Sequence, residues 1–193
     1  MIGKLVRSLG VRCTLLVLLF LLPLLTTACD DEFTQEWVDL PDTVLLYSLS
    51  RPDLIGRPSA YDFVNGVPRT VETPGASGTW DVAVTEGTAG FSLVPAGAFT
   101  GLASRAAIAT VTGTTLENLR EAPADTARYS SAAVLVEQGK IYVVRSRREN
   151  CGFSSGSRFA KVEAVETNRT NGTLRFRAIT NPYCNDRRLI PPN

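Results

Sequence analysis

Gly152-Phe153-Ser154-Ser155-Gly156 has the G-x-S-x-G spacing of a hydrolase nucleophile elbow, in which a strained strand-to-helix turn presents the serine to a histidine base. Both requirements fail, because the 193-residue chain has no His and the residues from Arg158 onward alternate like a strand. The pattern therefore reads as a Gly/Ser loop. Lys140 and Lys161, the two lysines that follow Lys4, stand at no S-x-x-K spacing and give the serine no substitute base. The missing imidazole, with the single Met at position 1, also removes His-ligated zinc and His/Met-ligated haem, so no metal and no cofactor is expected.

Asp62, Asp81 and Glu86, close in sequence to Tyr61 and Trp80, are the residue types with which a carbohydrate-active enzyme works when two carboxylates face each other across a cleft. Local spacing pairs none of them. Alternation puts Trp80 with Val82 and Val84 on one strand face, which makes Trp80 a core residue and Asp81 an outward or turn-bonding one. Arg145, Arg147 and Arg148, with Arg158 beyond the loop, form the densest basic cluster. Guanidinium groups fork onto phosphate or carboxylate, so these four are the candidates for an anionic ligand or partner site, against the alternative of a solvated, salt-bridged face. The same alternation places Arg145 and Arg147 together. No aromatic platform accompanies them, and nucleic acid is not expected as a partner.

Cys151 and Cys184 are expected to form a disulfide. It would close a loop of 34 residues, worth about 4 kcal/mol by chain entropy, and clip the proline-containing tail to the loop after the strand at 140–147.

The elements that must position these residues read almost wholly as strand. Segments 43–49, 69–73, 78–86, 91–94, 133–137, 140–147, 158–166 and 173–179 are short runs rich in Val, Ile, Thr, Phe and Tyr, broken by Gly, Pro, Asn and Ser. Two hairpins are expected, one through Gln138-Gly139 and one through a longer turn after Asn168 that Asn171-Gly172 closes. Asn168-Arg169-Thr170 and Asn171-Gly172-Thr173 match the glycosylation triplet but are read as that second turn. In the last strand Leu174, Phe176 and Ala178 alternate with Arg175 and Arg177, giving one apolar and one solvated face. One short helix is expected after Thr114, which makes a capping box with Glu117, with Leu116 and Leu119 on one face and Pro123 as the stop. The fold class is mainly β: a single antiparallel β-sandwich or partly open barrel with one short helix.

At the N-terminus Lys4, Arg7 and Arg12 precede an apolar run at 15–25 that is too short to span a bilayer, the order of a secretory signal. Thr26, Thr27 and Ala28 then precede Cys29. This resembles the lipobox of bacterial lipoprotein precursors, although Leu25 lies four places before the cysteine where the family usually has leucine three places before it. The resemblance implies removal of 1–28, lipidation of Cys29 and a membrane-anchored envelope protein, on the inner or outer membrane. Residues 29–42 carry six acids and no base, an extended acidic tether, and 43–193 form one β-rich domain. From Cys29 to Gly139 there are 6 Arg against 15 acids, and from Lys140 onward 11 bases against 4 acids. Pairing between the two halves is expected to neutralise this gradient. Trp80-Asp81-Val82-Ala83-Val84 is also similar to the W-D-x-A strand of β-rich haem-capturing envelope lipoproteins; without axial ligands, that resemblance implies a scaffold and no haem.

The sequence thus points to a lipid-anchored cell-envelope protein with a non-catalytic binding role toward an envelope protein, glycan or small anion. The alternatives are a carbohydrate-active enzyme using paired carboxylates and a structural assembly component.

Overall fold

In the strand Thr173–Thr180 every second residue from Leu174 to Ala178 is buried and Arg175 and Arg177 face outward, as the alternation requires. A computed structural model describes residues 37, 39–99 and 102–192. Cys29 and the signal-like segment lie outside these residues. Residues 36–193 make one compact unit.

Twelve strands run through the domain: β1 (Asp42–Tyr47), β2 (Ala60–Asp62), β3 (Val67–Arg69), β4 (Val82–Gly87), β5 (Gly90–Pro95), β6 (Ala107–Val111), β7 (Val134–Leu135), β8 (Ile141–Arg145), β9 (Glu149–Asn150), β10 (Ser155–Gly156), β11 (Phe159–Asn168) and β12 (Thr173–Thr180). They form two five-stranded sheets, ordered β1-β12-β11-β8-β6 and β3-β2-β4-β5-β7, and a small β10-β9 ribbon. Every pairing is antiparallel. The sheets pack as a β-sandwich around Val44, Leu46, Phe176 and Val162 from the first and Tyr61, Phe63, Val84 and Leu93 from the second. Tyr61 meets Phe63 edge-on at 4.8 Å and Phe176 of the opposite sheet at 5.6 Å, contacts worth about 1 kcal/mol each beyond burial.

Three expectations need correction. Gln138-Gly139 makes the turn, with Gly139 at φ 77° and Lys140 N donating to Glu137 O at 3.1 Å. The strands it joins do not pair with each other: β7 pairs with β5, and β8 with β6 and β11. The turn is a crossing between sheets. The helix after Thr114 is a single turn, capped from Thr115 Oγ1 to Asn118 N at 3.3 Å and carrying the bond from Leu119 N to Thr115 O. Its next polar groups go elsewhere, with Leu189 N donating to Arg120 O and Ala122 N to Arg187 O. A helix that loses its propagation bonds to tertiary partners does not extend. Among the described residues the helical elements are three-residue 3₁₀ turns. Finally, Trp80 is buried as expected, but on the other face from Val82 and Val84, packed with Ala60, Ala83 and Ala96 and edge-on to Phe99 at 5.4 Å. Strand β4 starts only at Val82, so alternation does not reach back to Trp80.

Candidate functional site

Asp62 ends β2 and Asp81 immediately precedes β4, and both side chains are fully buried. The outward position expected for Asp81 is therefore wrong. Arg147, just beyond β8 of the other sheet, lies between them, with Nη1 2.8 Å from Asp62 Oδ1 and 3.2 Å from Asp81 Oδ2. Every carboxylate oxygen has a donor. Asp62 Oδ1 also accepts from Val64 N and Asn65 N, and its Oδ2 accepts from Asn65 Nδ2 and from Arg69 Nη2 at 2.9 Å. Asp81 takes Arg147 N at 2.6 Å on Oδ1 and Phe63 N at 2.7 Å on Oδ2. This is a cross-sheet clamp, with each carboxylate oxygen engaged by at least one donor of the fold. Burial works against ionisation of Asp62, yet the bonds from Arg147, Asn65 and Arg69 outweigh it and lower its pKa. At Asp81 burial prevails and the pKa rises. Arg147 is raised because the two carboxylates overcome its own desolvation. Glu86, the third carboxylate, sits apart, 4.0 Å from Arg169.

The arginine cluster is divided. Arg147 turns inward to the clamp two residues beyond the end of β8 at Arg145, whereas Arg145 lies over the Tyr129 ring, so the two do not share a face. Arg158 pairs with Glu149 at 2.5 Å. Arg145 and Arg148 remain, and the fold adds Arg105 from just before β6. These three surround a concavity of about 260 Å³ completed by Ser157, Phe159 and Asn185. None of the three is paired with a carboxylate among the described residues. Arg145 lies over the Tyr129 ring at 5.3 Å and donates from Nη2 to Arg105 O at 3.3 Å. Its Nε is buried without an acceptor. Burial pushes the Tyr129 phenol up to about 12, so the ring beneath the guanidinium stays neutral and is a good cation–π partner. Three guanidinium groups around one hollow, without a counter-ion of their own, suit an anion.

Beside this hollow the β9–β10 ribbon carries the G-x-S-x-G residues on its turn. Cys151 N donates to Ser154 O at 2.8 Å, and Phe153 projects fully into solvent. Lys161 is far from this serine in the fold: it is buried on the outer face of β11, where Nζ donates to Leu119 O at 3.4 Å. Cys151 bonds to Cys184, with Cα atoms 6.1 Å apart, and fixes the ribbon to the tail. The tail is further organised by buried Asn181, which donates to Asp186 O and Arg188 O and accepts from Tyr183 N. Asn185 is pressed against Gly156, where a Cβ would come within 2.5 Å of its Nδ2.

A second concavity, of about 440 Å³, lies at the end of the β11–β12 hairpin near Tyr47, Asn168 and Asn171. Its acids are engaged, Asp53 by Arg51 at 2.8 Å and Glu166 by Arg175 at 3.4 Å. Arg105 was missed in the sequence because β6 is alanine-rich and not read as a strand, so nothing placed its leading residue beside Arg145. No protein-family model and no curated protein matches the chain.

Proposed function

We propose that this chain is a lipid-anchored cell-envelope binding protein that carries out no chemistry and takes an anionic partner at the Arg105, Arg145 and Arg148 hollow. The observation that carries the reading is that these three guanidinium groups converge on one concavity without a carboxylate among them, whereas most other arginines of the domain have an acid partner. The anchor rests on the lipobox resemblance at Cys29. An enzyme built on paired carboxylates is disfavoured by the clamp, since Asp62 and Asp81 are buried and saturated by donors that hold a sandwich together.

Two measurements on the protein purified from the envelope test it. Titration with inorganic phosphate and pyrophosphate should show binding that weakens with salt and is lost in R145S/R148S; equal binding by wild type and variant removes the hollow as the site. Intact mass should show an acylated Cys29, and a free thiol there ends the anchoring half of the proposal.

A further inference from the structure

The partner of the arginine hollow can be narrowed by what stands beside it. Arg148 lines the hollow on one side and, on the other, a shallow groove that contains Phe153. Among the described residues Phe153 is the one large apolar side chain wholly in water at the tip of a turn. The turn is not loose. Asn150 and Ser155 pair in the ribbon, Cys151 N bonds to Ser154 O, and the disulfide to Cys184 braces it from below. A rigid exposed aromatic next to unpaired arginines has little entropy left to lose on docking and an apolar surface to bury.

The direction in which it faces follows from the other end of the chain. Trp37 packs edge-on against Tyr183 at 6.3 Å. Tyr183 is the neighbour of Cys184, which is bonded to Cys151, two residues from Phe153. The chain therefore comes into the folded domain on the side of the disulfide that carries the aromatic tip. Cys29 lies eight positions before Trp37, a reach of at most about 29 Å.

We infer that the face made by Phe153, Arg148, Arg145 and Arg105 docks onto the surface of an anionic phospholipid bilayer, with the Phe153 ring in the interface and the guanidinium groups on lipid phosphates. This rests on the anchored-binding reading and names the partner of its site. An aromatic tip flanked by basic side chains matches the interface, where rings sit at headgroup depth and arginines meet phosphate. The docking charge comes from the arginines of the domain.

The test uses the acylated full-length mature protein, as wild type and F153W, in vesicles of brominated phosphatidylcholine with or without phosphatidylglycerol. Flotation on both vesicles, with the emission added by F153W quenched only when phosphatidylglycerol is present, is the expected result. In R148S and R145S/R148S on the F153W background the quenched fraction should correspond to a docking constant about fivefold weaker for each arginine removed. Flotation on both vesicles without quenching overturns the docking and leaves the anchor intact. Quenching that is equal with and without phosphatidylglycerol overturns the role of the arginines. Flotation on neither vesicle overturns docking and anchor together. Because Phe153 and Arg148 are exposed, an intact Cys151–Cys184 peptide and an unchanged circular dichroism spectrum certify each variant as folded.

Discussion

Arg147 Nη1 lies 2.8 Å from Asp62 Oδ1, a bond between residues 85 positions apart that ties the end of β8 in one sheet to the end of β2 in the other. The same guanidinium reaches Asp81, and the Arg147 main-chain N–H reaches it too. The two sheets are thus joined by ionic bonds at one end as well as by the apolar core between them.

Removing the arginine should expose the weakness of such a clamp. R147A leaves Asp62 and Asp81 buried with part of their compensation gone, and a loss of about 3–5 kcal/mol is expected from urea unfolding. D62A should fall in the same range, because Arg147, with a side chain only 15% exposed, then keeps only Asp81. Surface pairs such as Arg51–Asp53 are screened by solvent and should contribute little, so R51A is the control.

Acid titrates the clamp with a defined sign. Asp62 has a lowered pKa in the folded protein, so its contribution is complete above the usual aspartate range and disappears as pH falls through the depressed value. Asp81 is raised and takes its proton earlier; for that group protonation favours the folded state. Unfolding midpoints in urea, followed from neutrality into strong acid, should rise through the range where Asp81 protonates and fall below the usual aspartate range. D62N should reduce that final fall, with Asp53 and Asp186, also lowered, keeping the remainder.

Reducing the disulfide tests the tail. The bond closes residues 33 positions apart, and its loss through C151S/C184S should lower stability by about 2–4 kcal/mol. Nonreducing peptide mapping should recover Cys151 joined to Cys184 in the wild type; two free thiols would contradict the clip.

The sequence showed the sandwich through alternation, which is local, and the strand at 173–179 is a direct instance: Leu174, Phe176 and Ala178 are inside. Strands of the two charge halves pair in one sheet only, β1 with β12 and β6 with β8, while the other five-stranded sheet comes wholly from the acidic half and is met through side chains. Arg147, Arg169, Arg177 and Arg187 of the basic half pair with Asp62 and Asp81, Glu86, Glu117 and Glu121 of the acidic half. Two things alternation cannot carry are which strand lies beside which and where a strand stops. The first hid the crossing at Gln138-Gly139. The second hid the clamp, because continuing β8 by two residues puts Arg147 beside Arg145, whereas β8 stops at Arg145 and Arg147 reaches between the sheets. Short or alanine-rich strands gave no signal, and β2, with three residues, and β6 were missed for that reason. The Cys151–Cys184 bond was legible because two cysteines offered only one pairing once Cys13, in the segment expected to be removed, and Cys29 were set aside.

Strand β1 has a single neighbour, and it is β12, the last strand of the chain. Synthesis delivers a polypeptide from its N-terminus, so Val44 and Leu46 wait, unpaired, until Leu174 and Phe176 arrive. Pairing of such sequence-distant strands is slow, since the chain between them must be ordered first. The first sheet can therefore be completed only once β12 has emerged from the ribosome, and a chain truncated before Thr173 has no folded form in which β1 is covered by its partner.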